Sequence, residues 1–358
     1  MTMKNEPQYY THAEPFDLEC GIRLPQLRIA YHTFGTLNAA RSNAVWVCHA
    51  LTANSDVSDW WSGLFGEGRA LDPSRDFVVC ANIIGSHYGT TGPLDLNPDT
   101  GLIWGPDFPL ITVRDMVNAH ILLRRHLGID SIRTVMGGSL GGQQALEWAI
   151  AEPDVIQRVV AIATNARHSA WGIAFNEAQR MAIMADGTYG ERHADAARQG
   201  LMAARAVAML SYRHYDTYRL TQTDAESLTH GHRASSYQRY QGEKLANRFN
   251  AYSYVSLSRT MDSHDVGRGR GGTDAALGQI QADALVLGIR SDVLFPVAEQ
   301  RYLGDAIANA RYVEVESVHG HDGFLTETDV LNGIFCRFMH DTRSPEALTQ
   351  PVWPAEPD

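Results

Sequence analysis

Gly137-Gly138-Ser139-Leu140-Gly141 is the stretch on which the reading of the chain turns. It follows Arg133-Thr134-Val135-Met136, a short strand-like run, and precedes Gln144-Ala145-Leu146-Glu147-Trp148-Ala149-Ile150, a helical run that must stop before Pro153. Between a strand and a helix, glycines around a serine permit a sharp, strained turn. Such a turn lifts the serine Oγ above the strand's C-terminal end, beside the helix N-terminus. G-x-S-x-G alone is common by chance, and the bland alternative is a glycine-rich turn with a solvent serine. The flanking elements favour a nucleophile.

Working outward, similar apolar runs recur at Ala44-Val45-Trp46-Val47-Cys48, Phe77-Val78-Val79-Cys80, Val159-Val160-Ala161-Ile162 and Ala284-Leu285-Val286-Leu287. Continuous runs of this length suit strands buried on both faces, so the expected fold is α/β with a mostly parallel central sheet. Thr112 reads as an N-cap, with Asp115 three positions on, for a helix carrying Val113, Met116, Val117 and Ile121 near one face.

A serine at its free pKa is a poor nucleophile; it needs a base, and the base needs an orienting carboxylate. In a strand-turn-helix architecture of this kind the expected chain order is serine, acid, histidine. The run ending at Ile289 leads into Arg290-Ser291-Asp292. The strand-like Tyr312-Val313-Glu314-Val315-Glu316 leads into Ser317-Val318-His319-Gly320-His321-Asp322-Gly323. His319 and His321 compete as base. Asp292 is better placed than Asp322 as its partner, because a residue adjacent to the histidine cannot easily face the imidazole. No third ligand cluster accompanies His-x-His, so no metal site is expected, and the remaining histidines, including His230 and His232, are read as surface or core residues. The oxyanion of an acyl-transfer intermediate needs two donors. One is the N–H of Leu140; the other falls in Cys48-His49-Ala50-Leu51-Thr52 and is assigned to Leu51, the alternative being a plain strand end and turn.

The stretch from Val159–Thr164 to Ala284–Ile289 spans about 120 residues, far beyond an ordinary crossover. It is rich in Ala, Met, Arg and Tyr, with helical runs at 177–184 and 194–210, and reads as a helical lid insertion. Ser139 precedes it and Asp292 and His321 follow it, so it cannot be a tandem domain. The expected organisation is a discontinuous core, 1–165 with 284–345, a lid at 166–283 and a tail at 346–358. Arg268-Gly269-Arg270-Gly271-Gly272 reads as a flexible basic loop rather than a single-copy RNA-binding box.

Composition bounds the rest. In 358 residues, 44% are hydrophobic and 20% charged, enough apolar content for a substantial core and too much for a disordered chain. The net charge of -11 argues against nucleic acid or an anionic membrane as partner. The four cysteines are scattered, the first ten residues lack a signal-peptide pattern, and no apolar run approaches the roughly 20 residues of a membrane span. A soluble cytoplasmic protein with reduced thiols is expected.

The ordered motifs resemble one family, the α/β-hydrolase-fold homoserine O-acyltransferases. Cys48-His49-Ala50-Leu51-Thr52 resembles its oxyanion segment, Tyr88-Gly89-Thr90-Thr91-Gly92-Pro93 its YGTTGP loop, and Phe108-Pro109 with Thr112-Val113-Arg114-Asp115 the helix start that follows. Gly138-Ser139-Leu140-Gly141-Gly142 is similar to its elbow, Ser291-Asp292-Val293-Leu294-Phe295-Pro296 to its acid loop, and Gly320-His321-Asp322-Gly323-Phe324-Leu325 to its histidine loop. The resemblance runs from about Leu24 to about Phe338. It implies that Ser139 is acylated by acetyl-CoA, with His321 as base and Asp292 as its partner, and that the acetyl group passes to the hydroxyl of L-homoserine in methionine biosynthesis. It further implies that Arg213 grips the substrate carboxylate and Asp322 the amine, with no resident cofactor, and that the protein is a homodimer. Related members use succinyl-CoA or accept serine, and others of this fold are esterases. Two departures stand out: Leu140 where the elbow usually carries methionine, and Arg248-Phe249-Asn250-Ala251-Tyr252-Ser253-Tyr254 where the family reads Arg-Phe-Asp-Ala-Asn-Ser-Tyr. An anionic CoA also calls for a local basic surface, for which Arg268 and Arg270 are candidates.

Overall fold

A computed structural model describes residues 6–340. The assigned tail, 346–358, lies outside them. Eight strands form the central sheet: β1 (Gln8–His12), β2 (Leu27–Phe34), β3 (Ala44–Cys48), β4 (Phe77–Ala81), β5 (Ile132–Gly138), β6 (Arg158–Ile162), β7 (Asp283–Ile289) and β8 (Ala310–Val315). Their spatial order is β1-β2-β4-β3-β5-β6-β7-β8. β1 and β2 pair antiparallel, as do β2 and β4; from β4 onward every pairing is parallel.

The apolar runs are continuous because both faces of the sheet are covered. In β3, Ala44, Trp46 and Cys48 join the core on one side, while Val45 and Val47 join a second core on the other. Trp46 meets Trp148 edge-on at 4.9 Å, fixing the helix Leu140–Ala151 against the sheet. On the opposite face Trp61 packs against Phe324 and Phe335. Fully burying side chains of this size contributes roughly 1.5–3 kcal/mol each.

The helix Val113–His126 starts as its sequence directs. Thr112 Oγ1 accepts from the Asp115 N–H and Asp115 Oδ2 accepts from the Thr112 N–H, closing a capping box. Between β6 and β7 the described chain is helical: Ala170–Met184, Arg198–Tyr212, Tyr215–Gln222, Arg233–Ala246, Ala251–Asp262 and Thr273–Leu277. The run read as helix from 194 begins four residues later, after Ala197, which takes a left-handed conformation at φ 54°.

The Arg268–Gly272 loop differs from the flexible segment its composition suggests. Arg268 is held by Glu19 at 2.7 Å and Arg270 by Glu147 at 2.5 Å, so the basic groups fasten the loop to the core. Cys20, Cys48, Cys80 and Cys336 are unpaired. Among the described residues no helix is long and apolar enough to cross a membrane.

Candidate active site

β3 is flanked by β4 on one side and β5 on the other, and crevices at the carboxyl ends of such strands are where open α/β sheets bind ligands. Ser139 follows β5, Leu51 lies just past β3, Asp292 follows β7, and His321 follows β8.

Ser139 sits at φ 58°, ψ -127°, a conformation that costs a non-glycine residue about 1–3 kcal/mol. Its surroundings hold it there. The Ser139 N–H donates to Ile162 O at 2.9 Å, while Ser139 O accepts from Thr164 Oγ1 at 2.8 Å and from the Gln143 N–H at 3.1 Å. The glycines around it are required by proximity. A Cβ on Gly141 would lie 2.1 Å from Cys48 O, and one on Gly138 would lie 2.4 Å from the Phe324 ring.

His321 Nδ1 lies 2.6 Å from Asp292 Oδ2, and both side chains are buried. Asp292 Oδ1 accepts from the N–H groups of Leu294 (2.8 Å) and Phe295 (2.9 Å), so the carboxylate is oriented by its own loop. The imidazole stacks on Phe295 at 5.1 Å and meets Phe324 edge-on at 5.2 Å, with Tyr212 tilted over it at 5.8 Å. The Gly320 N–H donates to Ser291 Oγ at 3.0 Å, tying the histidine loop to the acid loop. Of the two competing histidines it is His321 that meets Asp292; the His319 Nδ1 has no partner among the described residues.

Ser139, His321, Asp322 and Leu51 line one cavity of about 570 Å³. Leu140 is the first residue of its helix, so its N–H has no intrahelical acceptor. The strand-end segment is pinned from behind by His49: the Ile83 N–H donates to its Nε2 (3.2 Å), its Nδ1 donates to Ala50 O (2.9 Å), and Gln144 donates to His49 O. Burial pushes the His49 pKa down to about 4, which keeps the ring neutral and the tautomer fixed.

Arg213 caps the end of the helix Arg198–Tyr212, and its Nε lies 2.7 Å from Asp322 Oδ2. The N–H is not aimed at that oxygen, so the contact is an ion pair without an aligned hydrogen bond. Arg213 itself does not line the cavity; Asp322 does.

Both departures from the family stretch have structural roles away from the cavity. Asn250 caps the helix Ala251–Asp262 as an aspartate would, accepting from the Ser253 N–H, and its Nδ2 donates to His87 Nδ1 at 2.9 Å. Tyr252 is buried; its hydroxyl donates to Glu191 O and accepts from the Gly190 N–H, fastening the 186–193 loop.

Sequence reasoning passed over the aromatic walls of His321, because Phe295 and Phe324 in the loops and Tyr212 at a helix end read as ordinary core. It also passed over Arg205, Lys244 and Arg248, which line the cavity in place of the expected Arg268 and Arg270. Arg248 was visible in the quoted Arg248-Phe249 stretch. It donates to Thr52 O and Tyr88 Oη, both at 2.6 Å, and so anchors the segment next to Leu51. Among the described residues no group of His, Cys, Asp and Glu is arranged to hold a metal ion.

Residues 43–328 match the family model described as alpha/beta hydrolase fold. The homoserine O-acetyltransferase of Chlorobaculum tepidum is 48% identical over 92% of this chain and 94% of its own. The crystal structure of homoserine O-acetyltransferase from Bacillus anthracis superposes with a TM-score of 0.86 at 24% identity, over 94% of this chain and 97% of that one. The acetyl esterase MekB superposes with a TM-score of 0.83 at 27% identity, over 93% and 96% of the two chains. With its serine turn, acid loop and histidine loop in the order the fold requires, the chain belongs to the α/β-hydrolase fold and, within it, to the homoserine O-acetyltransferase family.

Proposed function

We propose that the chain transfers an acetyl group from acetyl-CoA to the hydroxyl of L-homoserine, giving O-acetyl-L-homoserine and CoA, by way of an acetyl-enzyme on Ser139. The observation that carries the reading is the Asp292–His321 contact opening onto the same cavity as Ser139, in a chain 48% identical to a homoserine O-acetyltransferase. In this reading His321 Nε2 removes the Ser139 proton, and Oγ attacks the thioester carbonyl. The N–H groups of Leu51 and Leu140 receive the oxyanion, and the CoA thiolate leaves with the proton from His321. The homoserine hydroxyl then gives its proton to His321 and attacks the acyl-serine, and collapse of the second intermediate regenerates the enzyme. Arg213 and Asp322 hold the amino acid's carboxylate and ammonium, charges that match the ion pair they form with each other.

The segment 166–283 serves as a lid over the 1–165 and 284–345 core, keeping water from the acyl-enzyme. Its exposed Met181, Leu210, Tyr215, Leu220 and Tyr240 are suited to burial between two copies, in keeping with a cytoplasmic homodimer. Rapid quench of the enzyme with acetyl-CoA alone, followed by mass spectrometry, should find acetyl on Ser139; an unmodified serine would contradict the route. Turnover compared across acetyl-CoA and succinyl-CoA, each with homoserine and serine, reads out donor and acceptor. A second reading, hydrolysis with water as acceptor, is favoured by the likeness to the acetyl esterase. Hydrolysis of p-nitrophenyl acetate without any O-acetylhomoserine formation would establish it instead.

A further inference from the structure

The proposed donor is a polyanion, whereas the chain carries a net charge of -11. Most of its cations are already used: Arg114, Arg124, Arg133, Arg180, Arg268 and Arg270 are all paired with carboxylates. The cavity holding Ser139 breaks that pattern. Arg205, Lys244 and Arg248 all line it, and among the described residues none of them forms an ion pair. Arg205 lies over the Tyr212 ring at 5.1 Å, Arg248 spends its hydrogen bonds on neutral oxygens, and Lys244 has no polar partner among the described residues. Against them the lining offers Asp322, which is engaged by Arg213, and Asp59. The cavity therefore carries a positive excess within an acidic protein.

This excess is built by packing. Arg205 is on the helix Arg198–Tyr212 and Lys244 on the helix Arg233–Ala246. A Cβ on Gly242 would lie 2.6 Å from Met202 O, so at that crossing the two backbones are nearly in contact, and a cation from each helix reaches one cavity. Of the residues lining it, Ser139 is buried, while Lys244 and Arg248 are exposed. Lys244 has a further distinction: the chain has two lysines, and the other is Lys4.

We infer that Arg205, Lys244 and Arg248 form the site for the phosphate groups of the acyl donor, so that the cavity selects a phosphorylated thioester over an uncharged one. The inference rests on the acyltransferase reading and deepens it. A flexible ammonium suits a phosphate as a point charge, and guanidinium groups add directional donors. Partly exposed charges of this kind act across a Debye length of roughly 10 Å at 0.1 M salt, so their contribution depends on ionic strength.

The experiment compares acetyl-CoA with S-acetyl-N-acetylcysteamine, which carries the thioester and no phosphate, by kcat/KM for acylation of Ser139. Lys244→Gln and Arg205→Gln should each lower the value for acetyl-CoA about tenfold, with a loss on the truncated donor several times smaller, and Lys244→Glu should lose more than Lys244→Gln. Raising salt should weaken acetyl-CoA and leave the truncated thioester little affected. An amine-directed reagent adds a readout independent of activity: CoA should protect Lys244 from modification, with Lys4 as the internal reference. Equal losses on both donors, or a Lys244 that reacts equally fast with and without CoA, overturn the inference. If neither donor acylates Ser139, the acyltransferase reading itself fails; if both do and the variants do not discriminate, the phosphate site alone fails.

Discussion

Asp292 Oδ2 lies 2.6 Å from His321 Nδ1, while its other oxygen is occupied by the N–H groups of Leu294 and Phe295. The occupied oxygen fixes what a conservative substitution would do. In Asp292→Asn the amide oxygen keeps the two backbone donors, which turns Nδ2 toward the imidazole. Nδ1 must then accept, the ring proton moves to Nε2, and the base is lost. We expect kcat to fall by roughly 10³–10⁴-fold with the circular dichroism spectrum unchanged. A fall of less than tenfold would show that the tautomer does not matter.

Arg213 and Asp322 are set as a charge pair beside the cavity, so their removal should separate the two half-reactions. Arg213→Lys keeps the charge and loses the planar fork. The KM for homoserine should rise by about tenfold or more, by the loss of one charge-assisted contact, whereas the Ser139 acylation burst with acetyl-CoA changes much less. Equal damage to burst and KM would place Arg213 in the acylation step instead.

Gly141 should not tolerate a methyl group. Its Cβ would sit 2.1 Å from Cys48 O, and backbone on both sides must move, costing about 1–3 kcal/mol or more. Because Cys48 leads into the segment carrying Leu51, Gly141→Ala should lower both Tm and kcat. Gly187→Ala is the control: a Cβ there meets nothing within 4 Å, and its Tm should stay level or rise slightly.

Burial holds four histidines neutral: His49 and His168 are pushed down to about 4, and His120 and His264 to about 3. Each takes up a proton in the unfolded chain near its ordinary pKa of about 6.5 and resists it in the folded one. The stability they contribute is thus fully present above about pH 6.5 and is lost as pH falls toward 4, at up to roughly 1.4 kcal/mol per histidine per pH unit. Urea unfolding measured between pH 7 and 4.5 should show a slope of two or more protons, reduced by one in His120→Leu. A flat profile would contradict the burial of these rings.

Tyr252 fastens the 186–193 loop through its hydroxyl. Tyr252→Phe should cost about 1–2 kcal/mol of stability without altering the preference between acetyl-CoA and succinyl-CoA. A switch of donor would show that this departure from the family stretch reaches the cavity.

The features legible in the sequence share a physical cause. A strand buried on both faces must be apolar throughout, which is why Ala44–Cys48 and Asp283–Ile289 stood out. The serine turn was legible because only glycine fits where Cys48 O and Phe324 press against it. The helix start at Arg198 was not, since Ala197 takes a left-handed conformation that nothing in its side chain announces. The roles of Arg268 and Arg270 depend on Glu19 and Glu147, more than a hundred residues away, and no local pattern reports such partners. Asn250 and Tyr252 stood out only as departures from the family stretch, and their roles as a helix cap and a loop fastener were hidden because spacing says nothing about which way a side chain faces.

The pairing of β6 with β7 carries a consequence for how activity first arises. Arg158 aligns with Asp283 across a gap of more than a hundred residues, and only that alignment brings the acid and histidine loops to a serine made much earlier. Contacts so distant in sequence are slow to form, because a long loop must close before they reward it. Until that pairing forms, Ser139 has neither Asp292 nor His321 at hand to arm it. Catalysis becomes a certificate of completed topology, and acyl thioesters are safe from the enzyme until its last strands have docked.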